Sequence, residues 1–253
     1  MNSTLEIMER RRSQRAYQDK PLSQEEKDAI LQATLRAPTA GNMMLYSIIE
    51  VEDQALKDRL AVTCDDQPFI ARAPYVLLFL ADYQRWWDYF LHCEVERRCK
   101  ELGRPYRTPQ TGDLLLACCD ALIAAHQAVI AAESLGIGSC YIGDILENYE
   151  THRQLFDLPP YALPVTLVCF GYPAGEGPKR RTERFEREYV VYKNAYRRLS
   201  GAEMEAMFAS RSAGGSFGAE AENVGQMLYL RKFVADFSIE MSRSVKEMLK
   251  NWE

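Results

Sequence analysis

Apolar positions along this chain fall into two kinds of run. Short, unbroken ones rich in β-branched and aromatic residues, "SIIEVE" (47–52), "PYVLLFLADY" (74–83) and "LPVTLVCFGYP" (163–173), are bounded by proline, glycine or acidic residues and predict buried strands. A longer one, "DLLLACCDALIAAHQAVIAAESLGIG" (113–138), predicts a helix of about 39 Å at the α-helical rise. It is apolar on nearly all sides, the pattern of a helix buried in a core or against a partner. Asp120, His126, Gln127 and Glu133 interrupt it where a bilayer would penalise each, so a membrane span is the weaker reading.

Polar positions mark the ends of other elements. "STLE" sets Ser3 and Glu6 in capping-box spacing, and "LSQEEKDAILQATLRAP" repeats the device with Ser23 and Glu26; each predicts a helix, the second ending before Pro38. The first helix closes on arginines, and cations suit a helix C-terminus. "PTAGNM" reads as a loop, and "REYVVYKN" (187–194) as a short strand whose pairing partner is distant or on another chain. Residues 196–253 read as helices around the joint "SAGGSFGA" (212–219). Long helices with few strands, outside regular βαβ alternation, give an α+β domain with a central sheet.

Composition narrows the chemistry. A chain of 253 residues, 47% apolar, can bury a large core. A formal net charge of −5 argues against an electrostatic grip on nucleic acid. Seven cysteines, with no apolar leader in "MNSTLEIMERRRS", predict reduced thiols in a cytoplasmic protein. The basic stretch "RRRSQR" (10–15) therefore calls for a small local anion.

Several familiar signals fail their context. Gly136 and Gly138 in "GIGSCYIG" have G-x-G spacing, but a dinucleotide fingerprint follows a strand and here a helix precedes it. "HCEVERRC" (92–99) lacks the paired spacings of a zinc site, and Cys118 and Cys119 read as core residues of the long helix. Asp120 and His126, six apart on that helix, point in different directions, and a satisfied buried polar group is the better reading of such a residue. What remains is cationic. If residues 11–15 run extended, Arg11, Ser13 and Arg15 share one side over about 13 Å, a spacing for a long ligand with two anionic ends. "PKRR" (178–181) adds Lys179, Arg180 and Arg181. Alone it reads as a solvated loop; with "RRSQR" it makes a phosphate clamp.

The segments "RRSQR", "APTAGNMMLYSIIEV", "QPFIARAPYVLLFLADYQR", "AAESLGIGSCYIGDI", "LFDLPPYALPVTLVCFGYPA" and "PKRR" follow one another as they do in the FMN-dependent nitroreductase family. The chain resembles its larger oxygen-insensitive NAD(P)H nitroreductase and FMN reductase branch over residues 3 to 196. The resemblance implies an α+β sandwich with a central mixed, mainly antiparallel sheet flanked by helices. It also implies an intertwined homodimer with FMN in two interface sites, and no nucleic-acid or membrane partner. An FMN-binding domain would span 1–195, with a lid-like helical insertion at about 84–110, and a helical extension would follow at 196–253.

By the same resemblance, Arg11, Arg12, Ser13, Lys179 and Arg181 hold the FMN phosphate and ribityl chain, and Arg15 sits by the N1 and C2 carbonyl end of the ring. Pro38, Thr39, Ala40 and Asn42 reach the flavin from the partner subunit, Gln67 contacts the ring, and Tyr141, Ile142 and Gly143 lie along its N5 region. "EYVVY" becomes the strand that crosses the dimer. Hydride would pass from NADPH or NADH to flavin N5 and on to nitroaromatics, quinones or free flavin in a ping-pong cycle, with no protein nucleophile and no metal. Related members use the site for reductive dehalogenation or flavin destruction, and a storage or sensor protein without turnover is the remaining alternative. Met43 and Met44 replace the polar glutamine or serine of many members. Arg211 fits the first of the branch's 2′-phosphate cations, but "SAGGSFGAEAE" follows where further arginines belong, which leaves the choice of NADPH or NADH open.

Overall fold

Four strands, β1 (Tyr46–Glu50), β2 (Tyr75–Asp82), β3 (Gly138–Ile142) and β4 (Ala162–Gly171), pair in the order β1-β2-β4-β3 with every ladder antiparallel. β2 is buried along its whole length because both faces of the sheet are covered. Tyr75, Leu77 and Phe79 pack into one core, and Val76, Leu78 and Leu80 into another. Burial on both sides is why such a strand reads as an unbroken apolar run instead of an alternation.

The computed structural model describes residues 2–175, 183–213 and 217–253. Two units are compact in themselves, Met1–Gly177 with Glu240–Glu253, and Pro178–Ile239. The first holds the sheet and helices α1 (Ser3–Arg10), α2 (Gln24–Thr34), α3 (Gln54–Thr63), α4 (Phe69–Arg72), α5 (Gln84–His92), α6 (Val95–Glu101), α7 (Thr111–Ser134) and α8 (Tyr149–Leu155). The second contains α9 (Gly201–Ser212) and α10 (Val224–Leu228), and α11 runs Asp236–Leu249. Helix α2 starts on the expected capping box, Ser23 and Glu26 satisfying each other's backbone N–H. Helix α1 is capped one residue earlier than expected: the Asn2 carboxamide oxygen accepts from Leu5 N at 3.0 Å, leaving Ser3 inside the helix.

Two differences from the sequence reading have plain causes. "REYVVYKN" is no strand: Arg187–Tyr189 is a 3₁₀ turn whose Arg187 carbonyl takes both the Val190 and Val191 N–H, the groups that strand pairing would need. β3, which no periodicity announces, has only five residues and pairs along one side with β4.

Helix α7 is the core helix of the sandwich. Ala117, Ala121, Ala124, Ala125, Ala128 and Ala132 face inward and are fully buried, so its axis approaches the sheet closely. The opposite face leaves Leu115, Leu116, Leu122 and Ile123 exposed in the single chain, 68% for Leu115. Cys119 and His126 lie on that outward face, one turn from these leucines, so Cys119 is no core residue. Asp120 points inward and is satisfied. Its carboxylate accepts from the Thr39 hydroxyl, from Ala40 N at 3.0 Å and from Leu45 N at 3.1 Å, while the Thr39 oxygen takes Met44 N at 2.8 Å. One buried acid thus fastens the whole "PTAGNM" loop, in which Gly41, Asn42 and Met44 have φ of 56°, 58° and 50°.

Asp120→Ala is expected to lower the unfolding free energy by about 3 kcal/mol, since the backbone donors of the loop lose their acceptor; Asp120→Asn, which keeps one oxygen, should lose about half as much. Denaturant midpoints at unchanged slope measure both, and equal midpoints for all three proteins would contradict the role given to this acid.

Candidate active site

The arginine segment leaves α1 at Arg11, whose N–H still donates to Ile7 O at 3.0 Å, and then runs extended along the sheet. Ser13 bridges Ser139 in the only parallel pairing among the described residues, and Gln14 N donates to Ser139 O at 2.7 Å. Gln18 N donates to Tyr172 O at 2.9 Å, and Ala174 N to Ala16 O at 3.0 Å. Gln14 is buried between exposed Ser13 and Arg15, as period 2 expects, but the alternation does not extend to the helix end, where Arg11 is half-buried and Arg12 is exposed. Two glycines admit this close approach. A Cβ on Gly138 would stand 2.9 Å from the Gln14 side chain, and one on Gly171 would stand 2.6 Å from the Tyr17 ring. Gly138 of the rejected G-x-G pair therefore serves packing, and Gly136, with φ of 74°, is the turn that ends α7.

The cations converge on β3. Burial pushes the Cys140 thiol up, while Arg15, a hydrogen bond from Ser13 and then Arg11 act in the opposite direction. Burial likewise raises the Tyr141 hydroxyl to about 12, against the influence of Arg11. Among the described residues no salt bridge engages Arg11, Arg12 or Arg15. Arg11 and Arg12 act at a distance on the half-buried Glu133 carboxylate, but three guanidinium groups outside any salt bridge, gathered beside one strand, form an anion-binding surface.

Beyond the end of β3, Gly143 leads into a 3₁₀ turn, Asp144–Leu146. A Cβ on Gly143 would meet nothing within 4 Å, so this backbone borders open space. Facing the turn is Gln67, its Nε2 2.9 Å from Cys64 O and 2.7 Å from Asp144 Oδ2. A carbonyl can only accept, which fixes this atom as the amide nitrogen. Both amide protons are thus used inside the protein, and Gln67 can offer a ligand only its Oε1. His152 holds the turn from behind, Nδ1–H donating to Ile145 O at 2.9 Å and Nε2 lying 2.8 Å from the Thr63 hydroxyl. Burial lowers its pKa and keeps it neutral.

Pro38, Thr39, Ala40 and Asn42 lie on the loop fastened by Asp120, and no hydrogen bond or ion pair of the described residues joins this loop to the arginine segment within one chain. It borders a cleft of about 610 Å³ lined by Met43, Met44, Trp86, Tyr89 and His92. Trp86 is packed into the core and donates Nε1 to Met43 O at 2.7 Å, so it braces the loop. Trp87 is engaged by Tyr106 and Tyr161. The span 84–110 folds as α5 and α6 with a connection to α7. Lys179, Arg180 and Arg181 lie outside the described residues. In the second unit, the Arg211 guanidinium stacks over the Phe185 ring, 4.1 Å from its centroid. Asp144 and Glu147 went unremarked in the sequence because each is a lone acid in a loop; only the fold turns them toward Gln67. No cluster of metal-ligating side chains exists among the described residues.

The model of the nitroreductase family matches residues 8–172. The chain is 32% identical over 196 residues to the FMN reductase [NAD(P)H] of Bacillus subtilis, covering 78% of this chain and 75% of that protein. It is 31% identical over 199 residues to the oxygen-insensitive NADPH nitroreductase of Salmonella typhimurium, covering 79% and 77%. The solved structure of Bacillus megaterium NfrA2 superposes with a TM-score of 0.80 at 25% identity, over 100% of both chains. The chain belongs to the nitroreductase family.

Proposed function

We propose that this protein binds FMN and acts as an NAD(P)H-dependent oxidoreductase that reduces nitroaromatics, quinones or free flavin. The observation that carries the reading is the layout along β3. Unpaired Arg11, Arg12 and Arg15 lie beside the strand, the open backbone of Gly143 lies at its end, and the acceptor-only amide of Gln67 lies beyond. Those features fit a ligand that is anionic at one end and a planar hydrogen-bonding ring at the other. The oxidised flavin ring has a single N–H, at N3, and Gln67 presents the oxygen that could accept from it.

Bound FMN supplies a centre that takes hydride from NADPH or NADH and returns electrons to an acceptor. The side chains bind and orient. Arg11, Arg12 and Ser13, with Lys179 and Arg181, hold the phosphate and ribityl chain. Arg15 keeps a positive charge where reduction places negative charge, which favours that reduction. Pro38, Thr39, Ala40 and Asn42 come from a second copy, in a homodimer that also covers the exposed leucine face of α7; their lack of contact with the arginine segment in one chain supports this. Arg211, held flat on Phe185, is the candidate contact for the nicotinamide cofactor's phosphate. Seven unpaired cysteines suit a cytoplasmic protein.

Purified protein is expected to carry, or take up on titration, stoichiometric FMN, and to bleach its flavin band when mixed anaerobically with NADPH or NADH. Colourless protein that ignores FMN would end the flavin reading; flavin that binds without bleaching would point to storage. Reduction without nitroaromatic turnover would favour the dehalogenating or flavin-destroying relatives.

Two variants test the layout. Gly143→Ala has room and a compatible backbone, φ −78° and ψ −23°, so its melting temperature should hold while FMN affinity falls about 10-fold, the cost of a methyl group in the ligand's path. Fluorescence titration reads it, and unchanged affinity would move the flavin off this segment. Arg15→Ala should keep most FMN but slow its reduction by roughly 10- to 100-fold in stopped-flow mixing.

A further inference from the structure

We propose that Asp144 and Glu147 share one proton and through it hold the Gln67 amide in a fixed orientation, which makes them positioning residues for the flavin ring. The proposal rests on the FMN reading above. Gln67 Nε2 is bound between the Cys64 carbonyl and Asp144 Oδ2, at 2.9 and 2.7 Å. Asp144 is therefore one of the two acceptors that hold the amide, and the one of the two that belongs to a side chain. Behind it stands Glu147, only 5% exposed, its Oε1 buried without any hydrogen-bond partner. Among the described residues no salt bridge engages it. The groups that face it are Asp144 on its own turn, Asp65 on the loop before Gln67, and Glu240 on α11, all acids. His152 of α8 faces its backbone and is neutral, and the Cys64 thiol is raised well above its ordinary value by burial.

A carboxylate in that setting keeps its proton. Burial first, then the charges of Asp144 and Asp65 and a hydrogen bond to Asp144, push Glu147 up to about 8. Protonated, its O–H donates to Asp144, which remains the acceptor for Gln67. Above that pH two like charges meet and the pair separates, so Gln67 loses one of its two tethers and keeps only the Cys64 carbonyl.

The test has two readouts besides turnover. In the protein without FMN, the neutral carboxyl is favoured by folding, so the unfolded chain releases the proton from about pH 4.5 upward while the folded one holds it to about pH 8. Stability from this group must fall as pH rises through that window and level off above it. Melting temperatures from pH 5 to 9 should show a fall that Glu147→Gln lacks, because its amide still donates to Asp144 and cannot ionise. In the second readout, the FMN dissociation constant of the parent should rise about 5-fold or more between pH 7 and 9, while in Glu147→Gln it should change less than about 2-fold. Asp144→Asn, which removes the neighbouring charge, should shift the fall in melting temperature to lower pH. If the parent takes up no FMN at any pH, the flavin reading falls and this proposal with it. If FMN binds with a constant that is flat from pH 7 to 9, or if Glu147→Gln keeps the break, the shared proton is refuted and the flavin reading stands.

Discussion

The distance between α7 and the sheet governs everything around the candidate site. Alanines at six of the inward positions of that helix let its backbone settle against Tyr75, Leu77, Phe79, Val168 and Phe170, and larger side chains there would lift it away. From that seat the helix does two further things. Its middle carries Asp120, which fixes the loop from Thr39 to Leu45 by three of the loop's own donors. Its C-terminus turns at Gly136 directly into β3, the strand beside which the arginines lie. A shift of α7 would therefore disturb both the loop and the cation surface.

Charge is distributed unevenly around β3. The protein is acidic overall, at −5, yet Arg11, Arg12 and Arg15 are held together beside the strand's start by backbone pairing of the segment that bears them. Their mutual repulsion is tolerated because the side chains face solvent, where the dielectric screens it. Past the strand's other end, Asp144, Glu147 and Asp65 crowd together, and there the opposite solution applies: burial and repulsion keep a proton on Glu147. The two ends of one five-residue strand thus differ in kind, a cationic surface at one and an acidic cluster with one retained proton at the other.

The strands β1, β2 and β4, the capped start of α2 and the length of α7 were legible in the sequence, since each rests on a local signal that tertiary packing reinforces. The extended run of Ser13, Gln14 and Arg15 was legible too, though the alternation fails at Arg11 and Arg12, where the chain has only just left α1. β3 was hidden by its brevity and by glycines that look like a turn. Gly136 is indeed such a turn, but Gly138 is there for the Gln14 side chain, a contact across more than a hundred residues that no local pattern records. The valines of "REYVVYKN" misled for the converse reason: β-propensity describes a half-buried pleated surface, and Val190 and Val191 are exposed in a turn. Asp120 was recognisable as a satisfied buried acid, but its partners lie some eighty positions back and are known only from the fold.

A reaction carried by a bound cofactor asks a protein for placement more than for reactive side chains, and the residues around β3 answer that demand with backbone. Tyr17 shows how. Its hydroxyl donates to Gln14 O at 2.7 Å, closing the arginine segment on itself, while its ring fills the space that a Cβ on Gly171 would take. Burial keeps that hydroxyl protonated far above any working pH, so the donor never fails. Ser13 and Arg15 lie on either side of Gln14, and their positions follow from the backbone pairing of this segment with Ser139. Each cation can then stay out of a salt bridge, which leaves its N–H groups available to an incoming phosphate or a developing negative charge.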